Sequence, residues 1–149
     1  MNTTLEEIIE LYLAKIECYD YLNYTEEELL EELRPMLISA VSKLLTLDFK
    51  VDFDMEEFNR KLTDIEKNIV ALGLVEEFIT QKTNSIKVLR NHMSQTDYVL
   101  YSSANMLKEL QSALKEVKKK KAIMKLDYLG RNVLKILLVV YKYGLFRCL

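Results

Sequence analysis

Apolar positions recur at spacings of three and four along most of this chain, so the amphipathic helix is the dominant predicted element. Leu5, Ile8, Ile9, Tyr12, Ile16 and Tyr19 form the first series. Thr4 and Glu7 stand ahead of it at the spacing of a capping box, which starts a helix at Leu5. That helix is expected to end near Leu22 and Asn23. Glu6, Glu7 and Glu10 fall in its first turns, where the helix dipole favours carboxylates. Thr25 and Glu28 repeat the box. Leu29, Leu30, Leu33, Leu37, Ala40, Val41, Leu44 and Leu45 then carry a second helix. Pro35 lies inside this series. It removes a backbone donor, which predicts a kink or a split into segments 26–34 and 35–47.

From Asp48 to Asp54 polar and apolar residues alternate, the pattern of a short extended connection or edge strand. A helical turn can follow Asp54. Thr63 and Glu66 make a third capping box, and Ile65, Ile69, Leu72, Val75, Phe78 and Ile79 follow. Between Ile69 and Val75 the pattern is apolar almost all round, which predicts the central buried helix. Gly73 within it costs about 1 kcal/mol relative to Ala. Close approach of a neighbouring backbone would offset that cost. Residues 81–90 read as a short helix or turn, and 91–97 as a polar loop. A last long helix begins near Tyr98. Its seam of Leu107, Leu110, Leu114 and Val117 is interrupted at Lys121 and resumes at Met124 and Tyr128. Gly130 reads as its end.

The tail supports two readings. Val139, Tyr141, Tyr143 and Leu145 alternate with Val140, Lys142 and Gly144, as in a strand. Val133, Ile136, Leu137 and Val140 would equally serve a helix. The extended form is favoured. The expected fold is therefore all-α: a helical bundle of about four to five helices, with a short extended loop and an extended or strand-like C-terminal arm. Residues 1–130 form the helical domain and 131–149 the arm.

Composition agrees. Of 149 residues half are apolar and 30% charged, a globular balance, with only three Gly and one Pro to interrupt helices. Cys18 and Cys148 are too few for a disulfide framework and read as inert thiols in a reduced compartment. Residues 1–7 lack the basic start and apolar core of a signal peptide. The uncharged apolar run from Ile136 to Tyr141 falls far short of the ~20 residues that cross a bilayer. A soluble protein without a membrane partner is expected.

Charge changes the picture more. Residues 1–60 hold 15 Asp/Glu against 5 Lys/Arg, a net of −10; residues 61–149 hold 8 against 16, a net of +8. Such a split points to a partner, or to copies packed head to tail. Catalytic chemistry is thin. His92 is the single histidine, in the expected polar loop, without partners at ligand spacing, so neither a His/Cys metal site nor a nucleophilic triad is expected. Scattered glycines cannot make a phosphate loop. No cofactor is implied.

The carboxylates Glu26–Glu28, Glu31 and Glu32 lie on the outer face of a leucine-rich helix, either as a solvated face or as an electrostatic docking face. Lys118 to Lys121 point around the helix axis. A solvated face, a protein contact and sequence-blind contact with nucleic-acid phosphates all fit them. Nine tyrosines, with Tyr12, Tyr19, Tyr21 and Tyr24 clustered, suit a core edge or an interface. The candidate interface residues are Glu27, Glu28, Glu31, Glu32, Lys118, Lys119, Tyr141 and Tyr143.

One segment, Thr63 to Glu116, carries a resemblance. It runs Thr63-Asp64-Ile65-Glu66, then Ile69-Val70-Ala71-Leu72-Gly73-Leu74-Val75-Glu76-Glu77-Phe78 and a polar stretch. It continues as Asp97-Tyr98-Val99-Leu100-Tyr101-Ser102-Ser103-Ala104-Asn105-Met106-Leu107-Lys108-Glu109-Leu110. A buried helix ending in an aromatic, followed by an Asp-aromatic-x-x-Tyr-Ser-x-Ala-Asn start to a long helix, resembles the helical head-to-tail connector (neck or adaptor) proteins of tailed bacteriophages. The resemblance implies a non-enzymatic virion protein at the neck, made in the host cytoplasm. It implies a homo-oligomeric ring, commonly of twelve copies, that sits below the portal protein, continues the DNA channel and docks the tail or further neck proteins. Asp97, Ser102 and Ser103 then have capping roles at most.

Two other classes compete. A small intracellular helical binding module, an adaptor or inhibitor, predicts a stable monomer or dimer with one partner. A helical enzyme using Glu or Asp with a divalent cation predicts stabilisation by magnesium.

Overall fold

The computed structural model describes residues 1–16, 21, 23–44, 47–92 and 97–142, with side chains throughout except at 88–92, 97–103 and 139–142. Within these residues lie four helices and one small sheet: α1 (Leu5–Leu13), α2 (Glu26–Ser42), β1 (Val51–Asp52), β2 (Glu57–Phe58), α3 (Asp64–His92) and α4 (Asp97–Lys142). Helix dominates, as the spacing predicts.

All three capping boxes form. Glu7 N donates to Thr4 Oγ1 and Glu28 N to Thr25 Oγ1, while each Glu carboxylate accepts from its cap backbone. At α3, Thr63 N donates to Glu66 Oε2 at 2.8 Å and Glu66 N to Thr63 Oγ1 at 3.4 Å. α2 runs unbroken through Pro35 rather than splitting there. Leu33, Met36 and Leu37, on either side of the proline, are all buried. α1 ends at Leu13, earlier than expected.

α3 is the centre, packing on α1, α2 and α4. Its Ile69, Val70, Leu74, Val75 and Ile79 meet Leu5, Ile8, Ile9 and Tyr12 of α1 and Leu33, Met36, Leu37 and Ala40 of α2 in one core. α4 covers the remaining side with Leu110, Ala113, Leu114, Val117, Met124 and Tyr128. A Cβ built on Gly73 would lie 3.2 Å from Ala40 Cβ, so the glycine lets α2 and α3 approach closely.

The alternating stretch becomes a hairpin. β1 and β2 pair antiparallel, Val51 with Phe58 and Asp52 with Glu57. Asp52 Oδ1 accepts from the backbone N of Asp54 and Met55, and Glu56 takes a positive φ of 54° to close the turn. Thr3 fastens the chain's opening to this hairpin. Its carbonyl accepts from Phe58 N at 2.8 Å and its hydroxyl from Leu62 N at 2.8 Å.

Three further expectations need correction. Residues 81–90 are no separate turn: they continue α3, which runs to His92 and takes in part of the expected polar loop. Ser102 and Ser103 lie within α4 and do not cap it. Gly130 does not end α4, which continues to Lys142, so residues 131–142 are helical where an extended arm was expected. The three-and-four spacing of Val133, Ile136, Leu137 and Val140 prevails over the alternating pattern, and one glycine costs a helix only about 1 kcal/mol. Tyr143 and residues 144–149 lie outside the described residues, as do Cys18, Tyr19 and Cys148.

Candidate protein-binding surfaces

Capping brings the first surface into being. The boxes at Thr4 and Thr25 start α1 and α2 beside one another, leaving a cleft of about 890 Å³ between them. Ile9, Leu13, Leu29 and Leu30 line its apolar part. Glu6, Glu10, Glu26, Glu27, Glu31 and Glu56 line the rest, with Arg34 as the single cation among the described residues. Arg34 is engaged from within: its guanidinium donates to Phe53 O at 3.0 Å and lies 3.9 Å from Glu56. Six carboxylates around one engaged arginine leave a strongly negative cleft, suited to a cationic segment with an apolar side.

The structure separates the four acidic candidates. Glu27 and Glu31 line this cleft. Glu28 turns back to cap its own helix, donors Thr25 N and Oγ1 lying 2.9 and 3.0 Å from Oε2. Those bonds to the backbone and hydroxyl of Thr25 hold its pKa below the usual value. Glu32 lines a different, smaller groove with Tyr21, Tyr24 and Phe78. There the rings stack edge to face, with Tyr21 and Tyr24 centroids 5.8 Å apart, and Lys82 Nζ sits 5.4 Å from the Phe78 centroid.

The second surface is the outward side of α4. Lys118 reaches back towards α3, 3.9 Å from Glu76, while Lys121 is ion-paired with the same carboxylate and largely buried. Lys119 is exposed. At 3.6 residues per turn it shares the outward face with Lys108 and Lys115, also exposed. Beyond Ala122 that face changes character: Ile123, Leu126, Val133, Leu134 and Leu137 are all exposed. Tyr141 is in α4 with its side chain undescribed.

Sequence reasoning missed the polar links that hold α3 in place. Glu66 is fully buried. Arg60 donates to both its oxygens, at 3.1 and 2.5 Å, and Tyr128 Oη donates to Oε1 at 2.7 Å. Burial pushes the Glu66 pKa up, but Arg60, the Thr63 amide and hydroxyl, and Tyr128 together hold it at about 2. Glu77 accepts from Ser39 Oγ at 3.0 Å and is ion-paired with Lys43 of the turn after α2. Lys67 of α3 is ion-paired with Glu7 of α1. The signal lay in the carboxylates Glu76 and Glu77, set at the end of an otherwise apolar run, where charge demands a partner.

Among the described residues no three His, Cys, Asp or Glu side chains converge as a metal site would need, and no helix is long and apolar enough to cross a membrane. No family model, no curated protein and no solved structure matches the chain.

Proposed function

We propose that this chain is a non-catalytic assembly subunit, a head-to-tail connector of a tailed bacteriophage. It acts as a helical bundle in a ring of copies, commonly twelve, below the portal, continuing the DNA channel and docking the tail. The resemblance of residues 63–116 supplies the class. The observation that carries the assembly is the pairing of opposite surfaces on one molecule. The carboxylate-lined cleft between α1 and α2 answers the exposed Lys108, Lys115 and Lys119 of α4. Each copy offers its cleft to one neighbour and its lysines to the next, a heterologous contact that closes into a ring. The ring would set these lysines against carboxylates of a neighbour rather than against DNA.

The test is mass in solution, alone and with purified portal protein, at low and high salt. A salt-sensitive multimer is expected, weakened when Glu27 and Glu31 are both changed to Gln. A chain that stays monomeric at every concentration, and beside the portal, overturns the reading.

The apolar floor of the cleft favours a second reading, a small intracellular module that holds a basic amphipathic segment of one protein partner. It predicts a stable monomer or dimer whose binding is lost with the same two substitutions.

A further inference from the structure

α4 is apolar on two sides. Leu110, Leu114, Val117, Met124 and Tyr128 face α3. About half a turn round the helix, Ile123, Leu126, Val133, Leu134 and Leu137 stand 56, 70, 55, 61 and 49% exposed. A face this apolar on a helix whose other side already fills the core needs a cover.

The face also contains Gly130. A Cβ built there meets nothing within 4 Å, unlike the one built at Gly73. Within one molecule this glycine thus weakens α4 by about 1 kcal/mol with no compensation. A glycine on an apolar stripe allows another helix to come close.

Four of its five apolar positions are symmetric about it, Val133 having Asp127 as its counterpart. Ile123 and Leu137 each lie seven residues from Gly130, and Leu126 and Leu134 each lie four. A sequence that reads alike in both directions from one residue is self-complementary under a two-fold axis. We propose that two copies of this chain pair through antiparallel α4 helices crossing at Gly130, Ile123 against Leu137 and Leu126 against Leu134 of the other copy.

The flank agrees in charge. Asp127 and Arg131, ion-paired at 3.0 Å within one copy, stand on the same side of the stripe. Antiparallel pairing brings equivalent flanks together and lays Asp127 of one chain within about two residues' rise of Arg131 of the other. Complete covering of these side chains in two copies would remove on the order of 1,000 Å² from solvent, the lower bound for a specific interface. The contact is isologous, and its central residues, 123–137, include none of the lysines of the ring contact, so a substitution there can break the pairing while leaving those lysines in place.

Cross-linking tests the pairing in the full chain with Cys18 and Cys148 changed to Ser. Gly130→Cys is expected to oxidise to a disulfide dimer with glutathione disulfide. Ile123→Cys should not link to itself, but should link to a Leu137→Cys chain when the two are mixed. Leu134→Glu, at a position exposed in the single chain, is expected to keep its helical circular dichroism while weakening the dimer at least tenfold in sedimentation. A monomer at about 100 μM, a ring-sized mass without the Gly130→Cys link, or self-linking of Ile123→Cys overturns the proposal. A linked dimer that never assembles beside a portal would instead sink the connector reading and leave the pairing standing.

Discussion

The Tyr128 hydroxyl donates to Glu66 Oε1 at 2.7 Å, joining α4 to α3 across 62 residues of chain. The same carboxylate takes the Arg60 guanidinium and caps its own helix through Thr63. One buried glutamate thus fixes three things: where α3 begins, where the segment after β2 lies, and the register of α4. Tyr128→Phe removes one charge-assisted bond and is expected to cost about 2 kcal/mol in urea unfolding. Glu66→Ala, which strands Arg60 and Tyr128 together, is expected to cost about 3–5 kcal/mol.

Acid should find this glutamate. Its pKa is about 2 in the folded chain against an ordinary value of 4.5. A depressed folded value gives stability that is complete above 4.5 and is lost as pH falls from there towards 2. The full difference is worth about 3 kcal/mol. Urea midpoints measured at about pH 6, 4 and 3 are expected to fall more steeply in the native chain than in Glu66→Gln, which has no carboxyl to protonate.

Gly73 tests the close approach of α2 and α3. With Ala40 Cβ at 3.2 Å from an added Cβ, Gly73→Ala gains helix propensity and loses it to crowding, and should change stability little. Gly73→Val adds volume that neither helix can yield to and is expected to destabilise by about 2–3 kcal/mol. Thermal unfolding of the two variants side by side measures the contrast.

The Glu76–Lys121 ion pair is largely buried between α3 and α4. Lys121→Met alone leaves Glu76 with only the more distant Lys118 and is expected to cost about 3 kcal/mol. Adding Glu76→Leu removes the stranded charge and should recover most of the loss. Chemical denaturation of both single variants and the double variant gives the coupling energy.

Much of the fold was legible because local chemistry and tertiary packing agree. Thr4, Thr25 and Thr63 each stand three residues before a glutamate, and each starts a helix. Gly73 signalled the approach of Ala40. Legibility failed where a residue's partner lies far along the chain. Lys121 looked like a break in the α4 seam, yet it fills its core-facing place by reaching Glu76 of α3. Gly130 looked like a stop because a glycine after a periodic run usually is one, but the apolar spacing beyond it carries the helix on. Of the candidate interface residues, Glu27 and Glu31 do meet in a cleft. Glu28 and Glu32 do not join them, because adjacent positions on a helix point in different directions.

Thr3 also sets an order of events. Its hydroxyl receives Leu62 N, 59 positions further on, and its carbonyl receives Phe58 N. On the ribosome Thr3 emerges long before Leu62 does, so this clasp can close only when roughly the first two fifths of the chain is in reach and the loop entropy has been overcome. α1 must wait, poorly anchored, until the hairpin arrives to receive it. A nascent chain stalled just short of Leu62 should be an easy target for proteases.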